Sequence, residues 1–128
     1  MRIEHICIHV VDIEKMREFY MKYFGFISNE KYENKKTGWK NYFLSHSGMD
    51  ARLELMSHDS LHIEEYNKQR SGLMHIAFSL GSKELVDEMT QRLKNDGYEV
   101  LSGPRTTGDG YYESAILDPE GNMLELTI

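Results

Sequence analysis

The chain has 128 residues, 40% of them hydrophobic and 28% charged, enough to close one hydrophobic core and too few for a catalytic domain plus a separate regulatory one. Fifteen Lys and Arg against 21 Asp and Glu leave a formal net charge of −6, which argues against a general binder of phosphate backbones. A single cysteine, Cys7, allows no internal disulfide, and no apolar run reaches the length of a signal peptide core or a membrane helix, so a cytoplasmic protein without membrane or nucleic-acid partners is expected.

Residues 5–10, His-Ile-Cys-Ile-His-Val, alternate as a strand does. Asp12 then suits a helix N-cap, with Glu14 in the first turn, and Ile13, Met16, Phe19, Tyr20, Tyr23 and Phe24 recur at helical spacing up to Gly25. Two strands are expected at 27–32 and 39–44, separated by a turn at 33–38, and a hairpin turn at 45–50 leads to a strand at 52–56. The polar stretch 57–71 reads as a linker, with a short helix around 63–69. A strand at 75–80 follows, then the N-cap candidate Ser82, Glu84 in the first turn, and a stripe of Leu85, Val86, Met89 and Leu93 that stops before Gly97. Strands at 98–101 and 111–117 flank a Gly- and Pro-containing turn at 102–110, and the turn 118–122 leads into a last strand at 123–127.

The second half repeats the first. His5 and His75 lie 70 residues apart, as do Asp12 and Ser82, and the glutamates of the closing strands, Glu54 and Glu125, lie 71 apart. The expected architecture is α+β: one domain over 1–128, built of two βαβββ modules in tandem, with module one at 1–56, the linker at 57–71 and module two at 72–128.

Strand alternation divides these residues between faces. Ile6, Ile8 and Val10, with Leu53 and Leu55, take the core side of module one; Ile76, Phe78 and Leu80, with Leu124, Leu126 and Ile128, take that of module two. His5, Cys7 and His9 then share the opposite face with Arg52, Glu54 and Met56, as His75, Ala77 and Ser79 do with Met123, Glu125 and Thr127. Two such sheets curled toward each other form a cup holding two imidazoles and two carboxylates. That donor set suits a borderline or hard divalent ion in six-coordination, with two positions left for water or substrate oxygens. Cys7 is expected to line this cup and His9 to reach substrate from it, whereas His46, His58 and His62 fall in turns or the linker and are expected in solvent. Trp39, Tyr42, Tyr111 and Tyr112 read as packing residues.

The segments IEHICIHV…FYMKYFGF, ARLELM, LMHIAFSL and AILDPEGNMLEL, spanning nearly the whole chain, resemble the vicinal-oxygen-chelate superfamily and within it glyoxalase I. The resemblance implies a curved-sheet cup in which His5, Glu54, His75 and Glu125 bind one divalent metal ion: nickel, cobalt, zinc or manganese. It implies a lyase of the lactoylglutathione lyase type, which converts the hemithioacetal of a 2-oxoaldehyde and a thiol into a 2-hydroxyacyl thioester through an enediolate. Glu125 is then the main base, with Glu54 the second catalytic carboxylate. Extradiol dioxygenases and fosfomycin-modifying members generally use two histidines and one glutamate, methylmalonyl-CoA epimerases commonly have glutamine at the Glu54 position, and bleomycin-binding members lack the ligands. An epimerase or dioxygenase on the same cup, or a small-molecule-binding resistance protein, are the competing functions. Two departures from glyoxalase I bear on glutathione. His9 replaces an arginine four residues after the first ligand, and His58 an asparagine four after the first glutamate. Arg52, Arg70 and Arg105 are the alternatives for holding an anionic substrate. Compact members also pair the first module of one chain with the second of its partner, which implies a homodimer here.

Overall fold

The computed structural model describes residues 1–69 and 71–128. Arg70, a candidate anion-holding residue, lies outside the described residues. The chain divides into two compact units, Met1–Ile63 and Glu64–Ile128, each one sheet with one helix.

In the first unit, β1 (His5–His9) leads to α1 (Ile13–Phe24), the short strands β2 (Ile27–Ser28) and β3 (Tyr32–Glu33), then β4 (Lys40–Ser45) and β5 (Arg52–Ser57). The sheet order is β1-β5-β4-β2, with β3 also on β4. The helix starts where Asp12 Oδ1 accepts the Lys15 N–H at 3.0 Å and ends at Gly25, whose φ of 67° only glycine adopts without a Cβ penalty. Its Met16, Phe19 and Tyr20 bury against Val10, Leu44, Leu53 and Leu55 of the sheet, each large apolar side chain contributing about 1.5–3 kcal/mol. The single strand expected at 27–32 is split. Asn29, Glu30 and Lys31 stand against two residues of β4, and Asn29 bridges the interruption by accepting the Phe43 N–H at 2.8 Å through its side chain.

The second unit runs β6 (His75–Ser79), α2 (Lys83–Asn95), β7 (Val100–Thr106), β8 (Tyr112–Leu117) and β9 (Met123–Thr127), in sheet order β6-β9-β8-β7. Ser82 caps α2 by accepting the Leu85 N–H. At the other end Gly97, at φ 91°, lets its own N–H reach Lys94 O and that of Tyr98 reach Leu93 O, the paired bonds of a Schellman motif. Val86, Thr90 and Leu93 form the buried line of α2. Leu85, expected in that stripe, is exposed, being turned about 100° from Val86. Thr90 donates to Val86 O at 2.6 Å and so accepts from the buried Ser114 hydroxyl at 2.5 Å, which satisfies both hydroxyls between helix and sheet.

Three further expectations are corrected. The strand expected to stop at 101 continues to Thr106 through Gly103 and Pro104, because β7 is an edge strand and a bulge there absorbs a residue with no N–H. The segment around 63–69 forms no helix among the described residues: it has no apolar stripe to bury, and Ile63 is exposed. Ile128 is exposed one residue beyond β9 rather than in the core. The turn at 118–122 is as expected: buried Asp118 accepts the Glu120 and Asn122 N–H groups through Oδ1 and the Asn122 amide through Oδ2.

Candidate metal centre

In each unit the first strand lies parallel to the last, and the registers match. Cys7 stands opposite Glu54 across β1 and β5, and Ala77 opposite Glu125 across β6 and β9. Antiparallel neighbours complete the correspondence, with Phe43 opposite Glu54 and Ala115 opposite Glu125. Alternation along these strands carries the histidine and the glutamate of each unit to the face away from its helix.

The four expected ligands come together as two pairs. His5 Nε2 lies 3.5 Å from Glu54 Oε2, and His75 Nε2 lies 3.7 Å from Glu125 Oε2. The same nitrogen and the same oxygen face each other in both. The histidine side chains are 39% and 37% exposed, so each pair is reachable from solvent. With metal–ligand bonds of about 2.0–2.2 Å, two donors this far apart can hold one ion, and imidazole with carboxylate fits a divalent metal of intermediate softness. Among the described residues no group of three or more His, Cys, Asp and Glu side chains that could hold a metal is present. Each unit offers one imidazole–carboxylate pair.

The surroundings orient the first pair closely. His5 Nδ1 is hydrogen-bonded to the Glu4 carboxylate, which leaves Nε2 as the presenting nitrogen, as outer-shell carboxylates do for ligating histidines. Glu4 also pairs with Arg52 at 2.5 Å; the bonds to His5 and then Arg52 hold its carboxyl below the usual range. The Arg52 guanidinium lies 4.2 Å from the Phe43 ring centre, and Phe43 meets the His5 ring edge-on at 5.5 Å. Glu54 is 9% exposed, and the Asn41 amide donates to its Oε1 at 2.6 Å. Cys7 is an exposed residue, yet partial burial of the thiol, then the Glu54 charge and a hydrogen bond to it, push its pKa up to about 11.

Around the second pair the groups differ. Glu113 stands near Glu125, its carboxyl raised above the usual range by burial first and then by the Glu125 charge. Arg105 Nη2 lies 3.6 Å from Glu113, and its Nη1 donates to Ser102 Oγ at 3.0 Å. Tyr66 sends its hydroxyl to Met123 Sδ at 3.3 Å, on the strand that carries Glu125.

Sequence reading missed Asn41, Glu113, Tyr66 and the carboxylate partner of His5. It also misplaced two histidines. His58, expected in solvent, stacks on Trp39 at 4.9 Å, donates through Nε2 to Thr37 O and accepts the Ser60 N–H at Nδ1. His46 accepts the Gly48 N–H and packs on Phe26, whereas His62 is exposed as expected. His9 lies 5.0 Å from Trp39, centre to centre. Tyr42 is buried with its hydroxyl on Glu14 and Tyr112 reaches Asp87 at 2.7 Å, but Tyr111, expected to pack, is exposed. Arg52 and Arg105, candidates for a substrate anion, are each already set against a glutamate.

Comparison with known proteins agrees with this architecture. YqjT of Bacillus subtilis, an uncharacterised protein, is 32% identical, over 97% of this chain and 96% of its own. A glyoxalase family protein from Enterococcus faecalis has the same fold, with a TM-score of 0.81 at 22% identity over 99% of this chain and 97% of that one. So does the trypanothione-dependent glyoxalase I of Leishmania major, with a TM-score of 0.77 at 19% identity over 99% and 86% of the two chains. No described helix is long and apolar enough to cross a membrane. The sequence matches the Glyoxalase/Bleomycin resistance protein/Dioxygenase superfamily over residues 2–126, and the chain belongs to that superfamily.

Proposed function

We propose that this protein is a cytoplasmic, metal-dependent lyase of the glyoxalase I type, which isomerises the hemithioacetal of a 2-oxoaldehyde such as methylglyoxal to a 2-hydroxyacyl thioester. The observation that carries this reading is the recurrence, on the same face of both units, of a histidine Nε2 set 3.5–3.7 Å from a glutamate Oε2. One two-donor half is too little to hold a catalytic ion; two halves make a set of two imidazoles and two carboxylates. His5, Glu54, His75 and Glu125 are the ligands in this reading, drawn from two modules that meet in a homodimer.

The chemistry asked of the chain is a proton transfer between adjacent carbons, with no net oxidation. A bound divalent ion supplies Lewis-acid stabilisation of the negative charge that develops on the substrate's two neighbouring oxygens. Glu125 accepts the proton from the first carbon and returns it to the second. Glu54 holds its place by Asn41, and His5 by Glu4. The thiol is left open. The Leishmania major enzyme, of the same fold, depends on trypanothione, and here His58 stacks on Trp39 and His9 packs against it at a tilt, where glyoxalase I carries an asparagine and an arginine.

The test is an assay of protein reconstituted separately with nickel, cobalt, zinc and manganese, using methylglyoxal with a panel of cellular thiols and following thioester absorbance. Thioester formation above the uncatalysed rate is expected with at least one pair. Absence of turnover across the whole panel overturns the lyase reading.

A further inference from the structure

Each paired histidine has one residue directly opposite it on the neighbouring parallel strand: Arg52 for His5 and Met123 for His75. In the first unit charge closes this row, because Glu4 binds both Arg52 and His5 Nδ1. In the second unit the position is apolar, and the group that reaches it is the Tyr66 hydroxyl, 3.3 Å from Met123 Sδ. We propose that Tyr66 is a specificity-determining residue that turns its hydroxyl from Met123 to an oxygen of the bound substrate, and so selects ligands with an oxygen acceptor beside the His75–Glu125 pair.

Strand geometry brings that hydroxyl to the site. Leu124 and Leu126 are buried in the core, so Met123 and Glu125 share the opposite face of β9, about 6.6 Å apart along the strand. Sideways, Met123 lies one strand spacing, about 4.8 Å, from His75. A hydroxyl resting on the Met123 thioether therefore stands at the edge of the pair, and it belongs to the same unit, Glu64–Ile128. Its segment is not packed there as a whole. Among residues 62–69 Tyr66 is half-buried and the others are exposed, Ile63 included. A tyrosine so placed gives its ring to the sheet and its polar tip to whatever lies beside it.

The partner that the tip has found is a poor one. A thioether sulfur is a weak acceptor, whereas carbonyl, hydroxyl and carboxylate oxygens are strong ones, and stronger still when charged. A ligand oxygen arriving beside Met123 outcompetes the sulfur, and a hydroxyl redirects its hydrogen by rotating about its own C–O bond. Met123 gives up the contact easily, because an unbranched thioether side chain repacks with little strain. The hemithioacetal carries a hydroxyl and a carbonyl on adjacent carbons, so it offers acceptors of this kind. A site that hydrogen-bonds a substrate oxygen rejects analogues lacking it far more strongly than an apolar pocket can.

This role rests on the metal-lyase reading, and the experiment keeps the two apart. Wild type, Tyr66→Phe and Met123→Leu are loaded with cobalt(II) and titrated with oxalate, a dianion with oxygens on two adjacent carbons, while visible absorption is followed. Hemithioacetal kinetics and thermal melting are measured on the same proteins. Tyr66→Phe keeps the ring and removes only the hydroxyl, so melting temperature and cobalt affinity should match wild type. Its oxalate affinity should fall about tenfold, and its KM for hemithioacetal should rise about tenfold with kcat little changed. Met123→Leu removes the competing sulfur and keeps the packing volume, so oxalate should bind as tightly as in wild type or a few-fold tighter. Wild-type oxalate affinity or an unchanged KM in Tyr66→Phe overturns the proposal, as does cobalt-loaded wild type that binds no oxalate. Equal losses in Tyr66→Phe and Met123→Leu overturn it too, since the hydroxyl–sulfur contact would then only hold the segment in place. A wild type that binds no cobalt overturns the metal-lyase reading and this role with it. Oxalate binding that depends on Tyr66, in a protein that turns over no hemithioacetal, supports the donor role and overturns the lyase chemistry alone.

Discussion

A histidine that ligates through Nε2 needs its other nitrogen occupied, and His5 meets that condition through Glu4 while His75 follows Met74, which carries no such acceptor. His5→Ala and His75→Ala should each weaken divalent-metal affinity by more than the roughly 10–100-fold typical of an outer-shell change. Metal content of the purified variants, measured after dialysis, checks this; wild-type stoichiometry in both would remove the site. Glu125→Gln should keep its melting temperature and bind metal through its amide oxygen, yet lose most turnover, at least about 10²-fold, because an amide cannot accept the substrate proton. Near-normal turnover would take the base role away from Glu125. The face that His5, Glu54, His75 and Glu125 take in their own sheets was legible because strand alternation sorts faces without knowing which strands are neighbours. Asn41 and Glu113 were not, since their roles depend on β4 lying beside β5 and β8 beside β9 at a definite register. Nor was His58, whose stacking partner Trp39 stands at the other end of the β4–β5 hairpin.

At the scale of elements, helices read more faithfully than short strands. The caps at Asp12 and Ser82 and the stops at Gly25 and Gly97 are local chemistry, and both helices form where those residues put them. Gly103 and Pro104 misled, because such a pair in isolation signals a turn, whereas on an edge strand with a bulge it is tolerated. Glycine there answers to a contact no sequence window contains: at φ 83°, an added Cβ would come 2.5 Å from the Glu113 carbonyl oxygen and 2.8 Å from Ser114 Cα. Gly97 has a similar φ of 91° but nothing within 4 Å of such a Cβ. Gly97→Ala should therefore cost about 1 kcal/mol, the left-handed penalty alone. Gly103→Ala adds a backbone clash and should cost clearly more, about 2–4 kcal/mol, seen as a melting temperature lower by several degrees. Equal melting temperatures for the two variants would show that β7 does not sit tightly on β8.

At the scale of the molecule, two units with one His–Glu pair each raise the question of which units combine. Pairs from the two modules of one chain and pairs from two chains yield the same four ligands, so metal stoichiometry does not separate them. Subunit mixing does. We expect the shared arrangement, in which His5 and Glu54 of one subunit complete a site with His75 and Glu125 of the other. Take inactive His5→Ala and Glu125→Ala chains and let their subunits exchange. In a shared-site heterodimer one site collects both lesions, and the other draws its first module from the Glu125→Ala chain and its second from the His5→Ala chain, both unaltered there. Half of a random mixture is heterodimer and half of its sites are intact, so activity should return to about a quarter of wild type. If each chain builds its own site, every site in the mixture carries a lesion and activity stays at the level of the parents. Exchange is verified by native mass spectrometry of differently tagged chains. Exchanged heterodimers that remain inactive would overturn the shared-site dimer while leaving the metal pairs and their chemistry in place.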